Sequence, residues 1–146
     1  MFGGVRIKLV FSGAAHEVTG SCHYMEFDNK KFCIDCGMEQ GEDVFQNQEL
    51  LVDAAQLDYV FLTHAHIDHS GLLPLLYTKG FRGQIFSTKA TEDLCSIMLR
   101  DSAHIQTSEA EWRNRKAKRS SGKLFVPLYT MEDALAKCMI DMKGAF

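Results

Sequence analysis

The strongest constraint on what this 146-residue chain can fold into is a short block, His64-Ala65-His66-Ile67-Asp68-His69-Ser70, set directly after the apolar run Tyr59 to Leu62. Three imidazoles and a carboxylate crowded together at the end of a strand can all be aimed at one point by a turn. With six His and ten Asp in the chain, the chance of this order arising at random is under about one in a thousand. If the strand continues through Thr63, side chains two apart share a side, so His64 and His66 can bind one ion. Asp68 and His69, past the bend, can reach a second. Imidazole nitrogen and carboxylate oxygen suit zinc, with iron or manganese as alternatives, better than they suit calcium. Two ions roughly 3.5 to 4 Å apart can hold a shared hydroxide, since a metal lowers the pKa of bound water from about 15.7 to about 7. The implied chemistry is hydrolysis at neutral pH.

The surrounding pattern is α/β. Val5, Ile7, Leu9 and Phe11 alternate with Arg6 and Lys8 as a half-buried strand. Cys22 to Phe27 and Lys31 to Asp35 are two more strands, with Asp28-Asn29 as the hairpin turn. Leu57 to Thr63 is expected as a central strand, buried on both faces, and Gln84 to Ser87 as a fifth. A short apolar helix covers Leu72 to Tyr77. Thr91 is expected to cap a longer one that buries Leu94, Ile97, Met98 and Ile105. Ser108 with Glu111, and Thr130 with Asp133, have the spacing of capping boxes that start two further helices, the last running to about Gly144. Alternating strands and helices put the chain in the α/β class.

Several blocks carry a family resemblance. Thr63 to Gly71 resembles the signature of the metallo-β-lactamase fold superfamily. Gly13-Ala14-Ala15-His16-Glu17-Val18-Thr19-Gly20-Ser21, then Asp35-Cys36-Gly37, then the helix opened by Ala90-Thr91, resemble its β-CASP branch of RNA-processing nucleases. Within that branch the prokaryotic RNA-specificity type is the most similar, down to Ser102-Ala103-His104-Ile105-Gln106 and Leu128-Tyr129-Thr130. The resemblance implies a ribonuclease with two zinc ions: His64 and His66 on the first, Asp68 and His69 on the second, and Asp68 orienting the attacking water. Asp35 matches an acidic position near the metals, where a carboxylate fixes an imidazole tautomer; an Asx-type turn before Gly37 is the competing reading. Ligands that the family supplies later, in a Gly-His block, a Ser-Gly-Asp-like block and the inserted β-CASP domain, have no counterpart here. The expectation for residues 1–146 is therefore the N-terminal part of a metallo-β-lactamase-like domain, half of an α/β/β/α sandwich, with one sheet face open to a second copy or to a missing C-terminal half. A non-catalytic fragment with a partial metal site is the alternative function, and a thioester or lactone hydrolase a further one.

Charge and cysteines bound the rest. Residues 1–107 carry eight Lys/Arg against fourteen acids, net −6, and residues 108–146 carry eight against five, net +3, which together give the −3 of the whole chain. Arg113, Arg115, Lys116, Lys118 and Arg119 make a basic run that can hold phosphate or simply end a helix. Trp112 and Tyr129 can stack on bases or pack. Five cysteines, an odd number, argue against a secreted disulfide framework, so the thiols are read as buried and structural and the setting as cytoplasmic. His16, His23 and His104 are read as local hydrogen-bonders. No segment resembles a signal peptide or reaches membrane-spanning length.

Overall fold

The computed structural model describes residues 6–41, 44–117, 124–137 and 142–144. Six strands form one mixed sheet in the order β1-β2-β3-β4-β5-β6: Ile7–Phe11, His23–Phe27, Lys30–Ile34, Tyr59–Phe61, Gln84–Ser87 and Met142–Gly144. The first three are antiparallel, and β3 to β6 run parallel. The β2–β3 hairpin turns on Asp28 and Asn29, at φ 47° and 62°, the left-handed region that Asp and Asn tolerate better than other side chains. Parallel neighbours need crossovers. Between β4 and β5 these are α1 (Ile67–Ser70) and α2 (Leu73–Thr78); after β5 comes α3 (Lys89–Ala117).

The core lies between the sheet and these helices. Cys33, Val60 and Ile85 align across β3, β4 and β5 and are fully buried with Leu73, Leu76, Phe81 and Leu99. Burying each of the large apolar side chains contributes about 1.5–3 kcal/mol. No described helix covers the other face of the sheet. Ile7, Leu9 and Phe11 in β1 are exposed rather than half-buried, and β4 is buried on one face only, with Phe61 41% exposed. Phe32, Phe61 and Phe86 form a row of rings across that open face, Phe61 lying 5.5 Å from each of the other two. Helices thus flank one face of this mixed sheet among the described residues, as half a sandwich would have it.

The sequence reading of α3 needs correction. Thr88, not Thr91, caps it: Thr91 N–H donates to Thr88 Oγ1 at 3.2 Å. Its buried seam is Thr91, Cys95, Leu99, Ala103, Gln106 and Ala110, while Leu94, Ile97 and Ile105 face outward. The small residues of the seam let the helix lie close to its neighbours, and the larger apolar ones are left on the rim. Ser108 starts nothing, since α3 runs through it. The Thr130–Asp133 box does form, with Thr130 N–H donating to Asp133 Oδ2 at 3.0 Å and Asp133 N–H to Thr130 Oγ1 at 3.1 Å. Its helix does not reach Gly144, because Met142–Gly144 is β6. Val5, Lys118, Arg119 and Asp141 lie outside the described residues.

The segment 124–130 straps α3. Asn114 pairs with the Phe125 backbone in both directions at 2.8 Å. Buried Gln106 accepts the Leu128 N–H at 3.0 Å and donates to Ser102 Oγ, which also meets Tyr129 Oη at 2.9 Å. Tyr129 is 2% exposed and therefore packing. Arg113 is likewise engaged, ion-paired to Glu109 and set between the Phe45 and Phe125 rings, which leaves exposed Arg115 and Lys116 as the outward cations of the described basic run. No described helix is long and apolar enough to cross a membrane.

Candidate metal centre

The His64–Ser70 block leaves β4 at Phe61 and bends into α1. The strand does not continue through Thr63, yet His64 and His66 still meet: His64 Nε2 lies 3.1 Å from His66 Nδ1. The bend is held by the chain on either side of the hairpin. Ser21 N–H donates to Asp68 O at 2.8 Å, Cys36 N–H to His69 O at 2.8 Å and Met38 N–H to Ile67 O at 3.0 Å. Buried Ser70 ties its hydroxyl back to the carbonyls of Ala65 and His66. Gly37 is required by close approach: a Cβ there would sit 1.7 Å from Asp68 O.

Asp35 organises the side chains. It is 3% exposed and adopts φ 61° at the end of β3. Its Oδ1 accepts from Thr63 N–H and Thr63 Oγ1, both at 2.9 Å, and its Oδ2 accepts from Ser21 Oγ at 3.2 Å and faces His69 Nδ1 at 2.8 Å. The Asx turn is excluded, because Gly37 N–H goes to Ser21 O instead. An ionised carboxylate can only accept, so His69 carries its proton on Nδ1 and presents a lone pair at Nε2. Thr63 has a single hydroxyl proton, and the charged acceptor takes it. His64 Nδ1, 3.0 Å from Thr63 Oγ1, must then be the donor, which leaves His64 Nε2 with its lone pair free. One carboxylate therefore sets two imidazole tautomers, one directly and one through Thr63. Neither Thr63 nor Ser21 was singled out from sequence; the signal available was their place inside two of the family-like blocks.

The candidate ligand atoms fall in two sets. His64 Nε2 and His66 Nδ1 are 3.1 Å apart, and His69 Nε2 and Asp68 Oδ2 are 3.5 Å apart. Ligand bonds of about 2.0–2.2 Å in a tetrahedron put neighbouring donors roughly 3.3–3.5 Å apart. The His69–Asp68 pair therefore fits one edge of a zinc-type site, the His64–His66 pair sits at hydrogen-bond distance and would have to open slightly to do so, and the His64 and His69 rings lie side by side at 4.0 Å. Without an ion, His66 Nδ1–H donates to His64 Nε2. To ligate, His66 must move that proton to its other nitrogen. The donors fit a metal in kind, but their number is two per ion: no group of three His, Cys, Asp or Glu able to hold an ion occurs among the described residues. His16 and His104 are exposed. His23 is not the local hydrogen-bonder expected: its Nδ1 is buried without a partner while the ring packs edge-on to Phe11.

Comparison with known proteins agrees with this geometry. The metallo-beta-lactamase superfamily matches residues 17–81, the segment that carries Asp35 and the four donors. A ribonuclease of Thermus thermophilus, TTHA0252, is 41% identical over 68% of this chain and 23% of its own length. A probable RNase of Methanocaldococcus jannaschii is 34% identical over 75% of this chain and 24% of its own. Cleavage and polyadenylation specificity factor 73 of Drosophila melanogaster is 37% identical over 68% and 15%. The chain thus spans a quarter or less of the length of these relatives. Residues 17–81 thus form a metallo-β-lactamase superfamily segment, and the relatives the chain resembles are named as ribonucleases and as a cleavage and polyadenylation factor.

Proposed function

We propose that this chain carries the first ligand set of a two-metal ribonuclease, with His64 and His66 on one divalent ion and Asp68 and His69 on the other. The observation that carries the proposal is the convergence of the two donor pairs, at 3.1 and 3.5 Å, with the His69 and His64 tautomers set by Asp35 and Thr63. The superfamily match of residues 17–81 implies divalent metal, and these donors favour zinc over calcium or magnesium. Bound there, the ions supply Lewis acidity and activate water for attack on phosphorus. The protein's own residues act around them. Asp68, 22% exposed at the mouth of the cluster, can accept a hydrogen bond from water and orient it. Asp35, shielded from solvent, keeps His69 and His64 turned toward the ions. The ribonuclease names of the relatives support RNA as substrate; of the exposed cations on α3, Arg115 faces Glu111 and Lys116 lies over the Trp112 ring, contacts on the surface that phosphate would have to displace. The buried thiols suit a reducing cytoplasm. The shortage of a third donor favours a second reading, in which these residues form a partial site that the remainder of a longer domain, or a second copy meeting the open sheet face, completes.

The test is metal stoichiometry and RNA cleavage measured together on the purified chain. Zinc bound in a His66-dependent way, with cleavage of a labelled RNA that is lost in His66→Ala and on chelation, supports the ribonuclease reading for the chain by itself. His66-dependent zinc without cleavage supports the partial site. Zinc binding that is indifferent to His64→Ala and His66→Ala overturns both.

A further inference from the structure

We propose that Cys22 and Cys33 are a modification site: hydrogen peroxide converts them to a disulfide that loosens the grip of Asp35 on His69. The two sulfurs are 3.4 Å apart, at 3% and 0% exposure, and the mechanism above uses neither. Both are joined to the groups that set the imidazoles. Cys22 follows Ser21, which donates its hydroxyl to Asp35 Oδ2 and its N–H to Asp68 O. The Cys33 sulfur also lies 2.9 Å from the backbone oxygen of Asp35, which can take the thiol proton when Cys22 does not.

The pair is also chemically unequal. The thiols of Cys33 and Cys36 hydrogen-bond Cys22 and lower its pKa, whereas that same bond with Cys22, together with burial, raises Cys33. Cys22 is therefore the sulfur that attacks. Its thiolate displaces at one peroxide oxygen, the O–O bond breaks, and the leaving hydroxide takes a proton to become water. The sulfenic acid formed on Cys22 is then attacked by the Cys33 sulfur, and hydroxide leaves as water with the Cys33 proton. Two thiols and one hydrogen peroxide thus give one disulfide and two waters. Burial restricts the oxidant to one about the size of water.

The bond requires the sulfurs to close by about 1.4 Å, to about 2.05 Å. The β2–β3 ladder pairs residues from His23 with Ile34 to Phe27 with Lys30. Cys33 lies within this ladder and Cys22 just outside it, so the shift falls on Ser21–Cys22 and on Asp35 beyond the other strand end. Those are the residues whose hydrogen bonds hold the His69 ring.

Peptide mapping of the peroxide-treated chain without reductant tests the bond, and long-range proton–nitrogen NMR of the His69 ring tests its consequence. The expected result is a Cys22–Cys33 linked peptide, absent in Cys33→Ala with its fold checked by circular dichroism. The Nδ1–H form of His69 is expected to be lost in step with the linked fraction and restored by dithiothreitol. A Cys22–Cys36 link, no link in folded protein, or a linked protein with an unchanged His69 spectrum would overturn the proposal. None of these readouts needs a bound ion, so they stand apart from the metal test: failure here leaves the two-metal reading intact, and failure there leaves this one intact.

Discussion

Replacing Asp35 by Asn keeps the shape of the side chain and removes one acceptor. The backbone N–H of Thr63, 2.9 Å from Oδ1, cannot turn away, so the remaining oxygen stays there and the NH2 takes the place of Oδ2. It then meets Ser21 Oγ, which can rotate to accept, and His69 Nδ1, which was donating at 2.8 Å. His69 can avoid two opposed donors only by moving its proton to Nε2, the atom 3.5 Å from Asp68. That nitrogen then has no lone pair for a metal. Losing a hydrogen bond to a charged group costs about 1.5–3 kcal/mol, and relief of the buried charge offsets part of it, so the variant is expected to fold. Its zinc affinity should fall by about 10–100-fold, the usual effect of removing a partner of a metal-binding histidine, or about 1.4–2.8 kcal/mol. The assays are ring-nitrogen NMR for the tautomer and competition with a chromophoric chelator for zinc. Retention of the Nδ1–H form with affinity within about two-fold of the parent would refute the argument, because that loss is too small for a displaced ligand.

Three further outcomes are expected. Thr63→Val removes the hydroxyl between Asp35 and His64 but keeps the backbone N–H, so the His64 tautomer should become mixed while His69 is unchanged; ring NMR separates the two histidines. Gly37→Ala places a Cβ 1.7 Å from the Asp68 carbonyl, a clash with backbone that should cost about 3 kcal/mol or more, read as a large drop in Tm; an unchanged Tm would show that the 36–38 segment is not clamped to the metal bend. Phe61→Lys on the open sheet face should cost about 1–3 kcal/mol through its two ring contacts and reduce concentration-dependent association, measured by light scattering; equal association in the folded variant would mean that other surfaces are responsible.

How much of this was legible in the sequence depended on the range of the interaction. The Asp28-Asn29 hairpin, β5 and the Thr130–Asp133 box were readable because each is settled by residues at most four apart. The seam of α3 was not. Leu94, Ile97 and Ile105 have helical spacing and high hydropathy, yet the buried line is Cys95, Leu99, Ala103, Gln106 and Ala110, which apart from Leu99 are small or polar residues that no apolar pattern selects. Gln106 is buried because the 124–130 segment presents it with a backbone donor, a partner 22 residues away. The exposure of β1 was equally hidden, since alternation in a strand marks a face suited to burial without stating that anything covers it.

The candidate centre was half legible for the same reason. Its four donors sit within six residues of one another, and their types alone announce a metal. The groups that aim them are distant in sequence: Ser21, Asp35 and Thr63 belong to three separate segments that meet only after β2, β3 and β4 have paired. Asp35 bonds a residue 28 positions later through Thr63 and another 34 positions later through His69, while Ser21 and Cys36 fasten the backbone of the same bend. This explains in physical terms why the Gly13–Ser21 and Asp35–Gly37 blocks accompany the histidine block although neither supplies a ligand. A short bend with four metal donors cannot hold its own rings in one tautomer, so the sheet does it through a single buried carboxylate, and a change at any of its partners should be read first in the imidazoles and only then in the metal.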